Sequence, residues 1–460
     1  MRACESWSRR PYRPPFYEVG MPYLSRVAPE AGRIAIEWLP EGTGEYEVFF
    51  REKGEGAFRS AGRTEGTEFV LTDLTDGRDY EFYVASGHGR SRIRLGKSGR
   101  AVGTVVNYLH PEDDAYAFSG KALCSPSLVR LPDGALLASM DVFRGDWPQD
   151  LTLVFRSEDD GKTWHYSCEV YPCFWGKLFV HRGSLYLLGC STEYGDLLIG
   201  RSDDGGRSFS APSVLLRGGG GKNGEPGVHK NPQPVVPFRG RLWNTLEWGS
   251  WARGYHAAMV MSVPEDADLL DPAEWRFSEP VKYDPGWPGV PAGESTGNIE
   301  GCLVEKDGAL YNVMRYDMER LERKFGLAVV YRVDTEDPEG PLRYERCVEF
   351  PANASKFEIR YVPARARYYS IATRILSEET RRSRNLLSLL SSEDLVTWRV
   401  ERDIYDFRDS DPAKVGFQYV DFLPEGEELL FLCRTAIHDP INFHDANYST
   451  FDRVSIAGER

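Results

Sequence analysis

The chain has 460 residues, 41% hydrophobic and 27% charged, with 56 Lys and Arg against 70 Asp and Glu and a net charge of −14. That length suggests two or three domains of about 100–200 residues each, and a composition near the globular average excludes a disordered or fibrous chain. An acidic surface spread along the chain argues against nucleic acid and anionic lipid as partners, and no apolar run approaches the roughly 18 residues of a membrane span.

The start, MRACESWSRRPYRPPFYEV, lacks an apolar h-region and does not read as a secretory signal, so a cytoplasmic location is expected. A mature secreted fragment given a new Met1 would look the same. The eight cysteines (4, 124, 168, 173, 190, 302, 347 and 433) contain no C-x-x-C pair. They read as reduced, buried thiols and give neither a disulfide framework nor a zinc site.

In chain order, residues 1–19 are a basic, proline-bearing tail. Alternating segments follow: Ile34, Ile36 and Trp38; Tyr46, Val48 and Phe50; Tyr80, Phe82 and Val84. Period-two alternation between turn clusters predicts half-buried antiparallel strands. Tyr80 stands at the start of a late strand, where a tyrosine corner requires it. Residues 20–103 therefore resemble a fibronectin type III sandwich, which implies a spacer or packing module, with sugar binding as the lesser alternative.

From residue 104 a repeat takes over. Ser157-Glu-Asp-Asp-Gly-Lys-Thr-Trp164 and Ser202-Asp-Asp-Gly-Gly-Arg-Ser-Phe209 share the pattern S-x-D-x-G-x-T-W, and Ser391-Ser-Glu-Asp-Leu-Val-Thr-Trp398 is a degraded copy with Glu393 and Leu395 at the Asp and Gly positions. Each follows an apolar strand, so each predicts a hairpin turn held by its carboxylate with the aromatic packed beneath. These are Asp boxes, and the chain resembles the sialidase superfamily. The resemblance implies an all-β fold: a six-bladed β-propeller over 104–460, preceded by the sandwich. Six strand–turn–strand units support the count: 126–141, 176–191, 232–248, 301–317, 356–374 and 419–436. Thr104-Val-Val-Asn-Tyr-Leu-His110 can supply the missing strand of the last blade.

The resemblance also implies chemistry. Such enzymes use a Tyr nucleophile activated by a Glu, an Asp acid on a loop, and three Arg that hold the substrate carboxylate. A neutral Tyr avoids repulsion by that carboxylate, and guanidinium forks bind it bidentately. Carried onto this sequence, Tyr419 is the nucleophile, Glu300 its base, and Arg315 and Arg384 two of the arginines. The acid is Asp146, with Asp141 second. Where the family reads R-I-P, this chain has Cys124-Ser125-Pro126. Either Arg144 substitutes or the substrate is not a sialic acid.

Structural alternatives stand beside each role. Glu300 can be a solvated strand end, Arg315 can pair with Asp317, Tyr419 can be a core residue, and Arg384 lies in a basic run. Gly297-Asn298 suggests close approach of backbone to a ligand.

His229 and Glu247 are further substrate-binding candidates, and Glu247-Trp-Gly-Ser-Trp251 ends a hairpin with tryptophans suited to sugar stacking or to the core. His438 and His444-Asp445 lack a third metal ligand, so no metal and no cofactor is expected. Gly218-Gly-Gly-Gly-Lys-Asn-Gly224 lacks the context of a phosphate loop and reads as a flexible loop. The sequence carries no reading of oligomeric state. The expected function is an exo-glycosidase releasing a terminal acidic sugar from an oligo- or polysaccharide. The alternatives are a lyase acting on uronates, with His229 or His444 as base, and a non-catalytic glycan-binding propeller.

Overall fold

A computed structural model describes residues 7–9, 21–40, 44–145, 147–219, 225–352 and 355–458. The regular structure is almost entirely strand, and the helical turns among the described residues (Trp251–Arg253, Pro272–Glu274 and Pro363–Arg365) are single 3-10 turns.

Tyr23–Glu30, Arg33–Leu39 and Glu68–Leu71 form one antiparallel sheet, and Tyr46–Glu52, Arg59–Thr64 and Asp79–Ser86, with Gly89–Arg90 and Arg94–Lys97, form a second. Ile34, Ile36 and Trp38 from the first bury against Tyr46, Val48, Phe82 and Val84 from the second. This is a two-sheet sandwich. Tyr80 makes the expected corner: its Oη accepts from the Thr75 N–H at 2.8 Å. The sandwich is tied to the following chain by a buried Arg94–Asp113 ion pair at 2.6 Å, and Arg26 donates to the Val105 and Val106 carbonyls.

The rest of the chain is a six-bladed β-propeller. In chain order, the first two strands of the blades are Ala122–Arg130 and Leu136–Phe143; Phe174–His181 and Ser184–Cys190; Gly227–His229 with Val236–Phe238, and Arg241–Ser250; Asn298–Lys306 and Ala309–Tyr316; Arg360–Val362 and Arg367–Thr373; Gly416–Glu425 and Glu428–Ala436. These are the six hairpins read from sequence. In the third blade the inner strand is interrupted because Pro232 and Pro234 have no N–H to give the ladder. Thr104–Tyr108 runs antiparallel to Tyr448–Ser455 and is the fourth strand of the sixth blade.

Two local expectations need correction. Within 1–19, described only at residues 7–9, Ser8–Arg9 is a fifth strand of the first blade, paired to Val170 and Glu169. Trp7 is the cause: its indole is wholly buried beside Val154, Leu178 and Leu198, and its Nε1–H donates to the Pro172 carbonyl at 2.7 Å. The third repeat turn is also a residue shorter than its counterparts. Asp159 accepts from Ser157 Oγ and the Thr163 N–H (2.9 and 2.8 Å), and Asp204 repeats this with Ser202 and Ser208. In the third turn the holding carboxylate is Asp394, not Glu393; it accepts from Ser392 Oγ and the Thr397 N–H (3.1 and 2.7 Å). Leu395 takes the glycine's left-handed conformation at φ 62°.

Charged side chains cross between the inner strands. Asp421 is fully buried against Lys177 at 2.5 Å and accepts the Leu128 N–H at 2.7 Å, linking the sixth blade to the second and first. Arg360 lies 3.7 Å away. Replacing Asp421 by Asn leaves Lys177 buried without its counter-charge, which should cost about 3–5 kcal/mol. Urea unfolding checks this; a change under about 1 kcal/mol would mean that water or another carboxylate neutralises the lysine.

Candidate active site

Four inner strands carry the same irregularity. Between Cys124 and Ser127, Phe174 and Lys177, Ile299 and Cys302, and Gln418 and Asp421, three steps along the inner strand face two along its partner. Each is a β-bulge, and within it one residue has positive φ: Ser125 (49°), Trp175 (55°), Glu300 (60°) and Tyr419 (57°). Such a conformation costs a non-glycine residue about 1 kcal/mol or more. Its recurrence re-aims one side chain per blade. Two of the four are Glu300 and Tyr419, the pair that the sequence singled out.

Glu300 and Tyr419 meet. Tyr419 Oη donates to Glu300 Oε1 at 2.6 Å, and both side chains are buried. Arg315 Nη1 donates to Glu300 Oε2 at 2.6 Å and reaches Tyr419 Oη at 3.4 Å. Arg315 thus pairs with Glu300, whereas Asp317 accepts from Thr296 Oγ1. Burial alone would raise the Glu300 carboxyl, but the Arg315 charge, the Tyr419 hydroxyl, His229 and Arg384 together hold it below its ordinary value. Burial and the Glu300 charge push the Tyr419 phenol above its ordinary value, against three arginines. The resting pair is a neutral phenol hydrogen-bonded to an ionised carboxylate.

The pair lies near the start of the first strands of its blades, whereas the carboxylate-held turns join third strands to fourth. In an antiparallel sheet these are opposite edges, so the pair sits on the face away from those turns.

Two more guanidiniums face Tyr419. Arg384 lies 5.8 Å from the ring centroid and donates to Gln418 Oε1, and Arg434 lies 5.0 Å away and donates to the His444 carbonyl. Both are at least nine-tenths buried, and the Nε of each is without a hydrogen-bond partner. Neither has a carboxylate ion pair among the described residues. Burial, with Arg315 and Arg434 nearby, pushes Arg384 down to about 10.

Sequence reasoning missed Arg434, and the missed signal was spacing. Arg315 follows Glu300 by the same fifteen residues as Arg434 follows Tyr419 (300 to 315, 419 to 434). In both blades the arginine sits opposite the residue preceding the bulge: Ile299 with Arg315, and Gln418 with Arg434.

Cys124, at the departure from the family pattern, is buried beside Ser125 Oγ at 3.3 Å. Burial pushes its thiol far up, with the Arg434 charge the first opposing influence. A guanidinium is thus supplied near this place from the sixth blade. Arg144 stands on the loop after Leu136–Phe143, its carbonyl accepting from Trp147 and Gln149, and among the described residues its side chain makes no contact with Tyr419. Because the Cys124 thiol stays protonated, Cys124→Ala should keep initial rates within about twofold; loss of turnover would indicate a thiol mechanism.

Asp146 lies outside the described residues, in the stretch of sequence between Leu136–Phe143 and Leu151–Ser157. Asp141 is a structural carboxylate. It is fully buried, and its oxygens take Thr152 Oγ1 at 2.5 Å and the Trp175 N–H at 2.7 Å, holding the second bulge. Burial raises it to about 7.

His229 and Glu247 form a buried pair at 2.8 Å (Nδ1 to Oε2), and the other Glu247 oxygen accepts the Gly301 N–H at 3.3 Å. They brace the strand that bears Glu300. The Gly297 approach is to protein: an added Cβ would lie 2.2 Å from the His256 carbonyl oxygen, so glycine is needed for two backbones to meet. His444 Nδ1 pairs with Asp445 at 2.9 Å, and His438 Nδ1 faces Tyr448 Oη at 3.4 Å. Most of the Gly218–Gly224 loop lies outside the described residues.

No protein-family model matches the chain, and no curated protein matches it. Solved structures do. The Hadza microbial sialidase Hz136 is 15% identical with a TM-score of 0.52, covering 96% of this chain and 99% of its own. An α-L-arabinanase of Penicillium chrysogenum, complexed with arabinobiose, is 15% identical at 0.51, covering 78% of this chain and 99% of its own. A leech intramolecular trans-sialidase is 11% identical at 0.50, covering 96% and 92%. At these identities the likeness shows the fold.

Proposed function

We propose that the chain is an exo-acting glycoside hydrolase that releases a terminal acidic sugar, with Tyr419 as nucleophile, Glu300 as its base and Asp146 as the acid. The observation that carries this reading is the 2.6 Å bond from Tyr419 Oη to Glu300 beneath three arginines. An unperturbed Tyr has a pKa of about 10 and needs a neighbouring base to attack at neutral pH. Tyr419 Oη attacks the anomeric carbon and passes its proton to Glu300. The bond to the leaving oxygen breaks, and that oxygen takes a proton from Asp146. Water then attacks the glycosyl–tyrosine, giving up a proton to the deprotonated Asp146, while the proton on Glu300 returns to the departing phenolate.

The arginines favour an anionic sugar over a neutral one such as arabinose. Arg384 and Arg434 are buried cations with no carboxylate partner among the described residues, and a substrate carboxylate or another sugar-borne anion supplies it. Arg434 takes the part for which Arg144 was one of the two alternatives, the other being a substrate that is not a sialic acid. In this reading residues 104–460 are the catalytic propeller, and 20–103 a fibronectin type III-like packing module.

Incubation with a panel of glycans ending in sialic or uronic acids tests the proposal. Release of a saturated acidic monosaccharide is expected. An unsaturated product absorbing in the ultraviolet would mean a lyase, and binding without release would mean a lectin.

A further inference from the structure

A row of rings leads away from the catalytic pair. Trp175, the bulged residue of the second blade, stands 4.6 Å from the His229 ring. His229 is 4.9 Å from His256, and His256 is 4.4 Å from Trp251. The first three are buried, whereas Trp251 is 42% exposed.

Trp251 is nonetheless fixed. Its backbone N–H donates to Tyr194 Oη at 3.3 Å, and that hydroxyl also meets His256 Nε2 at 3.0 Å. Its turn is capped by Ser250 Oγ and closed by Gly254 at φ 70°. The following Arg253 pairs with Glu225 at 2.8 Å. The ring packs against His256 and leaves the rest of its surface open to solvent, on a turn whose backbone is fixed.

Trp251 opens onto a cavity of about 430 Å³ that Tyr283, Pro285 and Arg320 also line. The remaining wall, Gly293–Thr296, runs directly into the strand bearing Glu300; four residues from Thr296 to Glu300 span about 13 Å when extended. Trp251 lies in the turn between the second and third strands of its blade, on the same face as the catalytic pair. That length is an upper bound on the separation, and it keeps the cavity within reach of the second or third sugar from the bond being cut.

We propose that this cavity, with Trp251 as its stacking platform and Tyr283 on its wall, binds the leaving-group side of the glycan, so that the substrate is an oligosaccharide and not a simple glycoside. The inference rests on the glycosidase reading and adds the site for the rest of the chain. Aromatic faces suit the apolar faces of sugar rings, and the exposed Arg320 and Glu294 offer hydroxyl partners at the rim.

The test compares two substrates carrying the same terminal acidic sugar: a tetrasaccharide, and the glycosyl fluoride, whose leaving group fills no subsite. In Trp251→Ala, and separately in Tyr283→Ala, the ratio of kcat/KM for tetrasaccharide to that for fluoride should fall at least tenfold, chiefly through KM. Comparing substrates within one variant cancels any loss of folded protein. Hydrolysis of both substrates with an unchanged ratio would overturn the subsite alone. A wild-type protein that hydrolyses neither would overturn the glycosidase reading and the subsite with it.

Discussion

Tyr419→Phe and Glu300→Gln should each lower kcat by about 10²–10⁴-fold, the range for a positioned proton acceptor, and the double variant should lose little more. The reason is the single bond between them: without the hydroxyl Glu300 has no proton to take, and without the carboxylate the phenol, pushed up by burial, keeps its own. The pH profile gives a second readout. Glu300 must be ionised to act, and its folded value lies below the ordinary carboxyl value, so kcat/KM should hold through the usual carboxylate range and fall as pH drops through the Glu300 value. The sign is the same for stability: the depressed folded pKa contributes above the unfolded value and is lost as pH falls through the folded one. Glu300→Gln should abolish this acid limb. Multiplicative losses in the double variant would mean that the groups act separately.

Arg434→Ala and Arg384→Ala should each cost about 1.5–3 kcal/mol of transition-state binding for an acidic sugar, the worth of a charged hydrogen bond, or roughly 10- to 150-fold in kcat/KM. The loss should disappear when the substrate carboxylate is reduced to an alcohol, because the wild type then has no anion to hold. Arg434→Lys should restore little, since an ammonium cannot present the parallel fork. A double-substitution cycle with Arg315→Ala separates anion binding from the support that Arg315 gives Glu300 at 2.6 Å. Equal losses on charged and neutral substrates would make these arginines structural.

The hairpin count and the Tyr419–Glu300 meeting were legible because each rests on a local pattern: strand, turn, strand, with a polar residue opening the inner strand. Other features depend on register. Arg434 was hidden in the apolar run Leu-Phe-Leu-Cys-Arg-Thr-Ala; only its pairing opposite Gln418, beside a bulge, sets it against Tyr419. The third repeat was misaligned at its carboxylate because the turn is one residue shorter, which puts Ser392 and Asp394 where Ser391 and Glu393 were read. Gly297 suggested a ligand where the structure has the His256 carbonyl, a contact between blades that no spacing along the chain reveals. Trp7 hid the edge strand Ser8–Arg9 in a basic stretch, since one buried indole outweighs its charged surroundings.

Attack of Tyr419 on the sugar leaves a glycosyl–tyrosine, and covalent trapping detects it directly. The protein is incubated with a glycosyl fluoride of the acidic sugar that also carries fluorine next to the anomeric carbon, which slows breakdown of a glycosyl–enzyme. The digested protein is then examined by mass spectrometry. A peptide heavier by one fluorosugar residue, modified at Tyr419 and absent from Tyr419→Phe, is the predicted result. Modification of Glu300 instead, or turnover of the natural glycan with no covalent species on Tyr419, would contradict the account.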